Sequence, residues 1–277
     1  MQRFFIDTAN GRLSWLKGGT GGKVLLCLHG FGETASSFSF LEEHIGNEYT
    51  MYAPDFPWHG ATEWQADLPF QPVDLIDVLQ QMIPNFSQQP LHLLGYSMGG
   101  RVALSLLELI PLQIEQVVLL APDGLRLNFW YWLATQTRAG NRLFRFTMRH
   151  SGWFASMVNL LRRIGWVNPS VARFVHLYID DQKIRTNLYH IWTTMRRFKP
   201  RLQHLQQQIN QHQIPVQLLF GAYDRIIPAA LGKRLKQDAP AWVSCTELKA
   251  GHQLLRPQHT AAILTCLLPS TTPNTNK

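Results

Sequence analysis

The sequence predicts an α/β fold: a mostly parallel sheet with helices on both faces, interrupted by an inserted helical unit. Three observations carry this. Apolar runs of strand length alternate with segments of helical period over most of the chain. Residues 125–205 lack strand signals, and the same stretch departs from the rest in charge. With 277 residues, 45% hydrophobic and 16% charged, the chain can bury its own core and is too apolar for a disordered, collagen-like or coiled-coil protein.

The elements follow in order. Segments 4–7 and 13–17 flank Asn10-Gly11, a hairpin signal. Apolar runs at 24–28, 50–53, 91–94, 117–120, 216–220 and 243–248 read as further strands. Val73, Ile76, Leu79 and Ile83 recur at helical spacing, as do Val102, Leu106 and Leu109. Short apolar strands alternating with helices imply a parallel sheet covered on both sides. The expected division is a core of residues 1–124 and 206–268, a helical insert at 125–205 and a loose polar tail at 269–277. Within the insert, Gly140, Gly152, Gly165 and Asn168-Pro169 mark breaks between helices.

The formal net charge of +8 is uneven. From Leu125 to Arg201 there are fourteen Lys and Arg against Asp180 and Asp181 only, a balance of +12 that leaves −4 for the remainder. Three cysteines without paired spacing argue against a disulfide framework or a zinc ribbon. The first twenty residues carry no long apolar core after a basic start. No apolar run approaches the about 20 residues needed to span a bilayer. The expectation is a soluble cytoplasmic protein.

The chemistry concentrates in one segment. The strand-like run ending at Leu94 enters Gly95-Tyr96-Ser97-Met98-Gly99-Gly100-Arg101, followed at once by a helical pattern. A serine on such a strand-to-helix turn is held above the sheet in a strained backbone. Without its partners, the same pattern is a glycine-rich turn with a capping serine. A serine hydroxyl needs a base, usually an oriented histidine. Of eleven histidines, His252 follows the last strand in Ala250-Gly251-His252 and is the best placed. His92 falls within a strand, and His150, His176 and His190 within the insert. The orienting acid is Asp224, in the loop after 216–220, with Asp123 as rival; Asp123 also reads as a turn residue beside Gly124. Oxyanion donors would be the backbone N–H groups of Met98 and of Phe31, in His29-Gly30-Phe31-Gly32.

Together these residues resemble the α/β-hydrolase superfamily, in its capped form with helices inserted after the sixth strand. The likeness rests on His29-Gly30-Phe31-Gly32, Asp55-Phe56-Pro57-Trp58-His59-Gly60, Gly95-Tyr96-Ser97-Met98-Gly99-Gly100, Gly221-Ala222-Tyr223-Asp224 and Gly251-His252. It covers nearly the whole chain outside the insert. The resemblance implies that Asp55 braces a loop. Trp58 stands where the family commonly has glycine, and is expected to reshape the pocket mouth. Serine at the elbow argues against epoxide and haloalkane chemistry, which resembles enzymes with aspartate there. The implied activity is cleavage of a carboxylic ester or thioester by Ser97, His252 and Asp224 through an acyl-enzyme, without metal or cofactor. Two alternatives stand beside it. Ser97 to Arg101 also looks like the menaquinone-pathway synthase of this fold, a lyase that eliminates pyruvate and uses an arginine to bind carboxylate. A non-catalytic binding protein on the same scaffold is the other.

Arg138, Arg142, Arg145 and Arg149 fall at helical spacing within the insert, and twelve of its fourteen basic residues are arginine. The insert is expected to steer an anionic small-molecule substrate, to rest on anionic lipid as a peripheral membrane contact, or to be a solvated lid face whose aromatics pack on the body. No recognition motif accompanies the charge, so nucleic acid is not expected.

Overall fold

The computed structural model describes residues 1–126, 128–166, 168 and 179–268. The polar tail, His176 and Pro169 lie outside the described residues. The chain divides into a core unit, Met1–Glu63, Pro72–Arg126 and the chain from Phe198 on, and a helical unit, Trp64–Gln71 with Leu127–Arg197.

The core is built on strands β1 (Gln2–Thr8), β2 (Gly11–Gly18), β3 (Lys23–Leu28), β4 (Tyr49–Pro54), β5 (Glu63–Trp64), β6 (Leu91–Tyr96), β7 (Ile114–Leu120), β8 (Val216–Gly221) and β9 (Val243–Leu248). The sheet runs β1-β2-β4-β3-β6-β7-β8-β9, with the two-residue β5 off this path. β2 is antiparallel to both β1 and β4, and the hairpin closes with Thr8 opposite Gly11. The pairs from β3–β4 to β8–β9 are parallel. All six residues of β6 are buried, as are Gln116 to Leu120 of β7, so both strands read as unbroken apolar runs rather than alternating ones.

Helices α1 (Glu42–Ile45), α2 (Pro72–Met82) and α3 (Met98–Leu109) belong to the core's first part. α3 is buried on every side from Met98 to Leu107, the signature of a helix inside a core rather than upon it. α2 shows the limit of pattern reading. Leu75, Val78, Leu79 and Met82 form its buried face, while Val73 is 57% exposed.

The helical unit contains α4 (Phe129–Gln136), α5 (Arg138–Arg149), α6 (Gly152–Arg163) and α7 (Gln182–Thr194). Three of these helices, α4, α5 and α7, carry side-chain N-caps of the residue types that favour them. The Asn128 side chain accepts from the Trp130 and Tyr131 N–H groups, Thr137 from Gly140, and Asp181 from Ile184. Gly140, expected as a break, lies inside α5; the break is at Thr137. Its value is close approach, since a Cβ there would stand 2.0 Å from the Leu133 carbonyl oxygen. Met148, Ile179 and Tyr189 form a small core with Phe144, Phe154 and Leu188. The unit nonetheless exposes many large apolar side chains, with Trp130 at 71% and Trp166 at 82%.

The chain rejoins the core earlier than expected, at Phe198 rather than residue 206. Just beyond it, Glu108 on α3 accepts from the Arg201 guanidinium at 2.6 Å and lies 2.9 Å from His204 Nδ1. Phe198 and Leu205 are buried in the same unit. Helices α8 (Leu202–His212), α9 (Ala230–Gln237) and α10 (Thr260–Leu267) complete the core. Among the described residues no helix is long and apolar enough to cross a membrane.

Candidate active site

Ser97 sits between β6 and α3 with φ 51 and ψ −114, a backbone region that non-glycine residues rarely occupy. Three main-chain bonds hold it there. The Ser97 N–H donates to the Leu120 carbonyl, and the Ser97 carbonyl accepts from Gly100 and Asp123, each at 2.9 Å. The turn closes because its neighbours lack side chains. A Cβ on Gly99 would lie 1.9 Å from the Leu28 carbonyl oxygen, and one on Gly95 2.8 Å from that of Gly99. Met98 is the first helical residue, so its N–H belongs to the group that an α-helix leaves without an intrahelical acceptor. The helix dipole adds partial positive charge at the same point.

Two later loops bring their side chains to Ser97. His252 Nε2 is 3.1 Å from Ser97 Oγ, and His252 Nδ1 is 2.7 Å from Asp224 Oδ2. A carboxylate only accepts, so Nδ1 carries the proton and Nε2 is left to accept from the serine hydroxyl. Burial raises the affinity of the Asp224 carboxyl for its proton. The bond from His252 and the N–H groups of Ile227 and Ile226 outweigh that and hold it below the usual carboxylate range. The two loops are joined by the Tyr223 N–H donating to the Ala250 carbonyl at 2.9 Å, and a Cβ on Gly221 would meet the Gly251 carbonyl oxygen at 2.2 Å. Tyr96 donates its hydroxyl to the His252 carbonyl, and burial pushes its pKa up to about 12.

The rival acid is engaged elsewhere. Asp123 accepts from the Gly124 N–H at 2.7 Å and stands 3.5 Å from Arg101 Nε. Arg101 itself is 5% exposed, on the first turn of α3.

The loop after β3 runs beside the nucleophile: a Cβ on Gly30 would stand 3.3 Å from that of Ser97. Two histidines lace this loop to the one after β4, and sequence reading missed the pair. His29 Nε2 accepts from the Phe56 N–H at 3.0 Å while its Nδ1 meets the Gly30 carbonyl at 2.8 Å. His59 mirrors it, with Nε2 accepting from the Gly32 N–H at 3.2 Å and Nδ1 on the Pro57 carbonyl at 3.0 Å. Each ring therefore works as a neutral imidazole with one donor and one acceptor. Burial lowers the pKa of both, that of His29 the further because His59 stands beside it. The only trace in the sequence is a His-Gly pair after each of the two strands.

Asp55, fully buried, braces the same loops. It accepts from the Ala35 N–H at 2.7 Å, Ser14 Oγ at 2.9 Å and Arg3 Nη1 at 3.0 Å. A Cβ on Gly60 would strike its carboxylate at 2.2 Å. Trp58, partly buried in this segment, has φ 67, a left-handed conformation that glycine adopts without steric cost.

A β-sheet of this order, with a serine turn at the end of β6 and an acid and a histidine on later loops, defines the α/β-hydrolase class. The chain belongs to the alpha/beta hydrolase family, whose model matches residues 25–264. It is 24% identical over 259 residues to the uncharacterized hydrolase YugF of Bacillus subtilis, covering 91% of each chain. It is also 24% identical over 229 residues to the pimeloyl-[acyl-carrier protein] methyl ester esterase of Nitrosomonas europaea, covering 79% of this chain and 84% of that one. Several other curated relatives are matched over only about a third of their own length. Among solved structures, an esterase from Thermogutta terrifontis superposes with a TM-score of 0.66 at 18% identity, over 96% of this chain and 98% of that one.

Two predictions follow from the loop geometry. A histidine whose folded pKa lies below the ordinary 6.5 takes up its proton more readily when unfolded. Its stabilising effect is thus full above pH 6.5 and is lost as pH falls below it. Thermal melting should decline from about pH 6.5 downward, each histidine adding up to about 1.4 kcal/mol per pH unit. His59→Gln should flatten that slope; an unchanged slope would show that these rings do not titrate with unfolding. At Trp58, Trp58→Gly should be more stable to denaturant than Trp58→Ala by about 1 kcal/mol, because only the glycine is unstrained at that φ.

Proposed function

We propose that the chain is a serine hydrolase of carboxylic esters or thioesters. In this reading the Ser97 oxygen attacks the carbonyl carbon while His252 Nε2 takes the hydroxyl proton. The Asp224 carboxylate holds the ring in the required tautomer and stabilises the imidazolium that forms. The N–H groups of Met98 and Phe31 receive the negative charge on the carbonyl oxygen. Collapse of the tetrahedral adduct breaks the bond to the alcohol or thiol, which leaves with the proton from His252. Water, deprotonated by the same ring, then cleaves the acyl-enzyme and returns Ser97 to its hydroxyl form.

The observation that carries this reading is the unbroken chain from Ser97 Oγ to His252 at 3.1 Å and from His252 to Asp224 at 2.7 Å. The names of the Nitrosomonas and Thermogutta relatives, both esterases, agree with it. The lyase alternative would use Arg101 to bind a substrate carboxylate. Its burial and its approach to Asp123 favour an internal ion-pair role instead. The part of the helical insert as a lid, and the anionic character of the substrate, rest on the sequence resemblance and the insert's charge.

Ser97 should be labelled by a fluorophosphonate probe, and the label should vanish in Ser97→Ala. That variant should lose at least about 10,000-fold in hydrolysis of short p-nitrophenyl esters while keeping its melting temperature. Asp224→Asn should cost about 10,000-fold. An unlabelled, inert wild type would instead favour a binding protein on this scaffold.

A further inference from the structure

One cavity of about 400 Å³ is lined entirely by the helical unit, and five of its nine lining residues are Arg138, Arg142, Arg145, Arg196 and Arg197. No carboxylate is among them. Arg145 is committed to Asp67 at 2.6 Å and to the Tyr189 hydroxyl at 2.7 Å, and Arg196 reaches the Thr135 carbonyl at 3.4 Å. Among the described residues, Arg138, Arg142 and Arg197 have neither ion pair nor side-chain hydrogen bond. The frame around them is fixed. Gln136 donates to the Arg196 carbonyl at 2.9 Å and Asn141 to the Ala134 carbonyl at 3.1 Å, which ties the α4–α5 corner to the turn after α7.

This arrangement is electrostatically unfavourable as it stands. Arg138, Arg142 and Arg197 are exposed, so water screens part of their repulsion, but like charges are still gathered around one concavity. Arg138 is also the first residue of the twelve-residue α5, whose first turn holds no acid, so a cation sits at the positive end of the helix dipole. An anion in the cavity would relieve both penalties together. Three uncommitted guanidinium groups would overcompensate a single carboxylate, whereas a dianion with three terminal oxygens matches them. The volume falls within the range of small-molecule sites and leaves room for an organic group beyond the anion.

We propose that this cavity is a binding site for a phosphomonoester. Its phosphate is received by Arg138, Arg142 and Arg197, and the site is independent of the chemistry at Ser97. The phosphate can arrive on a soluble metabolite or on a phosphatidic acid headgroup. The second source is admitted by the exposed Phe129 and Trp130 on α4, the helix that leads into the cavity.

The test uses the intact protein at fixed ionic strength. Calorimetric titration with glycerol 3-phosphate forms the soluble arm. Flotation with phosphatidic acid vesicles, against phosphatidylcholine vesicles, forms the lipid arm. Arg142→Gln and Arg197→Gln remove cavity charge, and Lys233→Gln on α9 removes equal charge from the core unit. Retained fluorophosphonate labelling and melting temperature report folding. Saturable binding of glycerol 3-phosphate that weakens about tenfold in each arginine variant and is unchanged in Lys233→Gln supports a soluble ligand. The same variant pattern on phosphatidic acid vesicles alone supports the lipid source. Absence of binding in both arms, or equal weakening by Lys233→Gln, overturns the proposal and leaves the reading of Ser97 untouched.

Discussion

The structure depends on how closely three backbone segments approach one another at the carboxyl end of β6. The β3 loop, the serine turn and the start of α3 meet where side chains have no room. Gly99 lies against the Leu28 carbonyl and Gly30 against Ser97 itself. Only under that crowding does the φ of 51 at Ser97 persist, because the strain of about 1–3 kcal/mol is opposed by hydrogen bonds to Leu120, Gly100 and Asp123. The same crowding sets the direction of α3, whose N-terminus is thereby aimed at the space above the serine. A bulkier residue at any of these glycines would move the helix, the loop or the serine, and the three cannot be moved separately.

Around this point three histidines do different work, and their partners decide which. His252 has a carboxylate on Nδ1 and a hydroxyl on Nε2. His29 and His59 have carbonyl oxygens on Nδ1 and backbone N–H donors on Nε2. Protonating either would set an N–H against an N–H inside the protein. The first pattern points one ring nitrogen at the serine hydroxyl and fixes the other on an acid. The second suits rigid fasteners that keep the β3 loop in register with the loop after β4. Asp55 reinforces the fasteners by accepting from Ser14 on β2, from Arg3 on β1 and from the Ala35 N–H, which opens the 3-10 turn Ala35–Leu41 after β3.

Much of this was legible in the sequence because it is written in local patterns. Buried parallel strands appear as unbroken apolar runs, and the Gly-x-Ser-x-Gly segment between a strand and a helical pattern identifies its own turn. Chain order then singled out Asp224 and His252. What escaped reading was set by tertiary contact. Glu108 captures Arg201 and His204 across about ninety residues of chain, and no local pattern could place the core boundary at Phe198. The reciprocal bonds of His29 and His59 join backbone groups of two loops, so side-chain identity hints at them only faintly. Trp58 departs from the glycine common in the family, but the reason that glycine suits the position, a left-handed φ of 67, is visible only in the folded chain.

The two units also settle their charge differently, and the contrast bears on what the helical unit is for. In the core, Arg3 meets Asp55, Lys23 meets Glu48, Arg201 meets Glu108 and Arg256 meets Glu33. Among the described residues of the helical unit Arg145 meets Asp67, while three arginines at one cavity stay uncommitted. A unit that existed only to pack and be solvated would gain by interspersing acids and by burying Trp130 and Trp166. It does neither. Uncompensated cations and exposed aromatics each lower the stability of an isolated helical unit. Their coexistence among the described residues of the helical unit fits a surface whose favourable state includes something besides water.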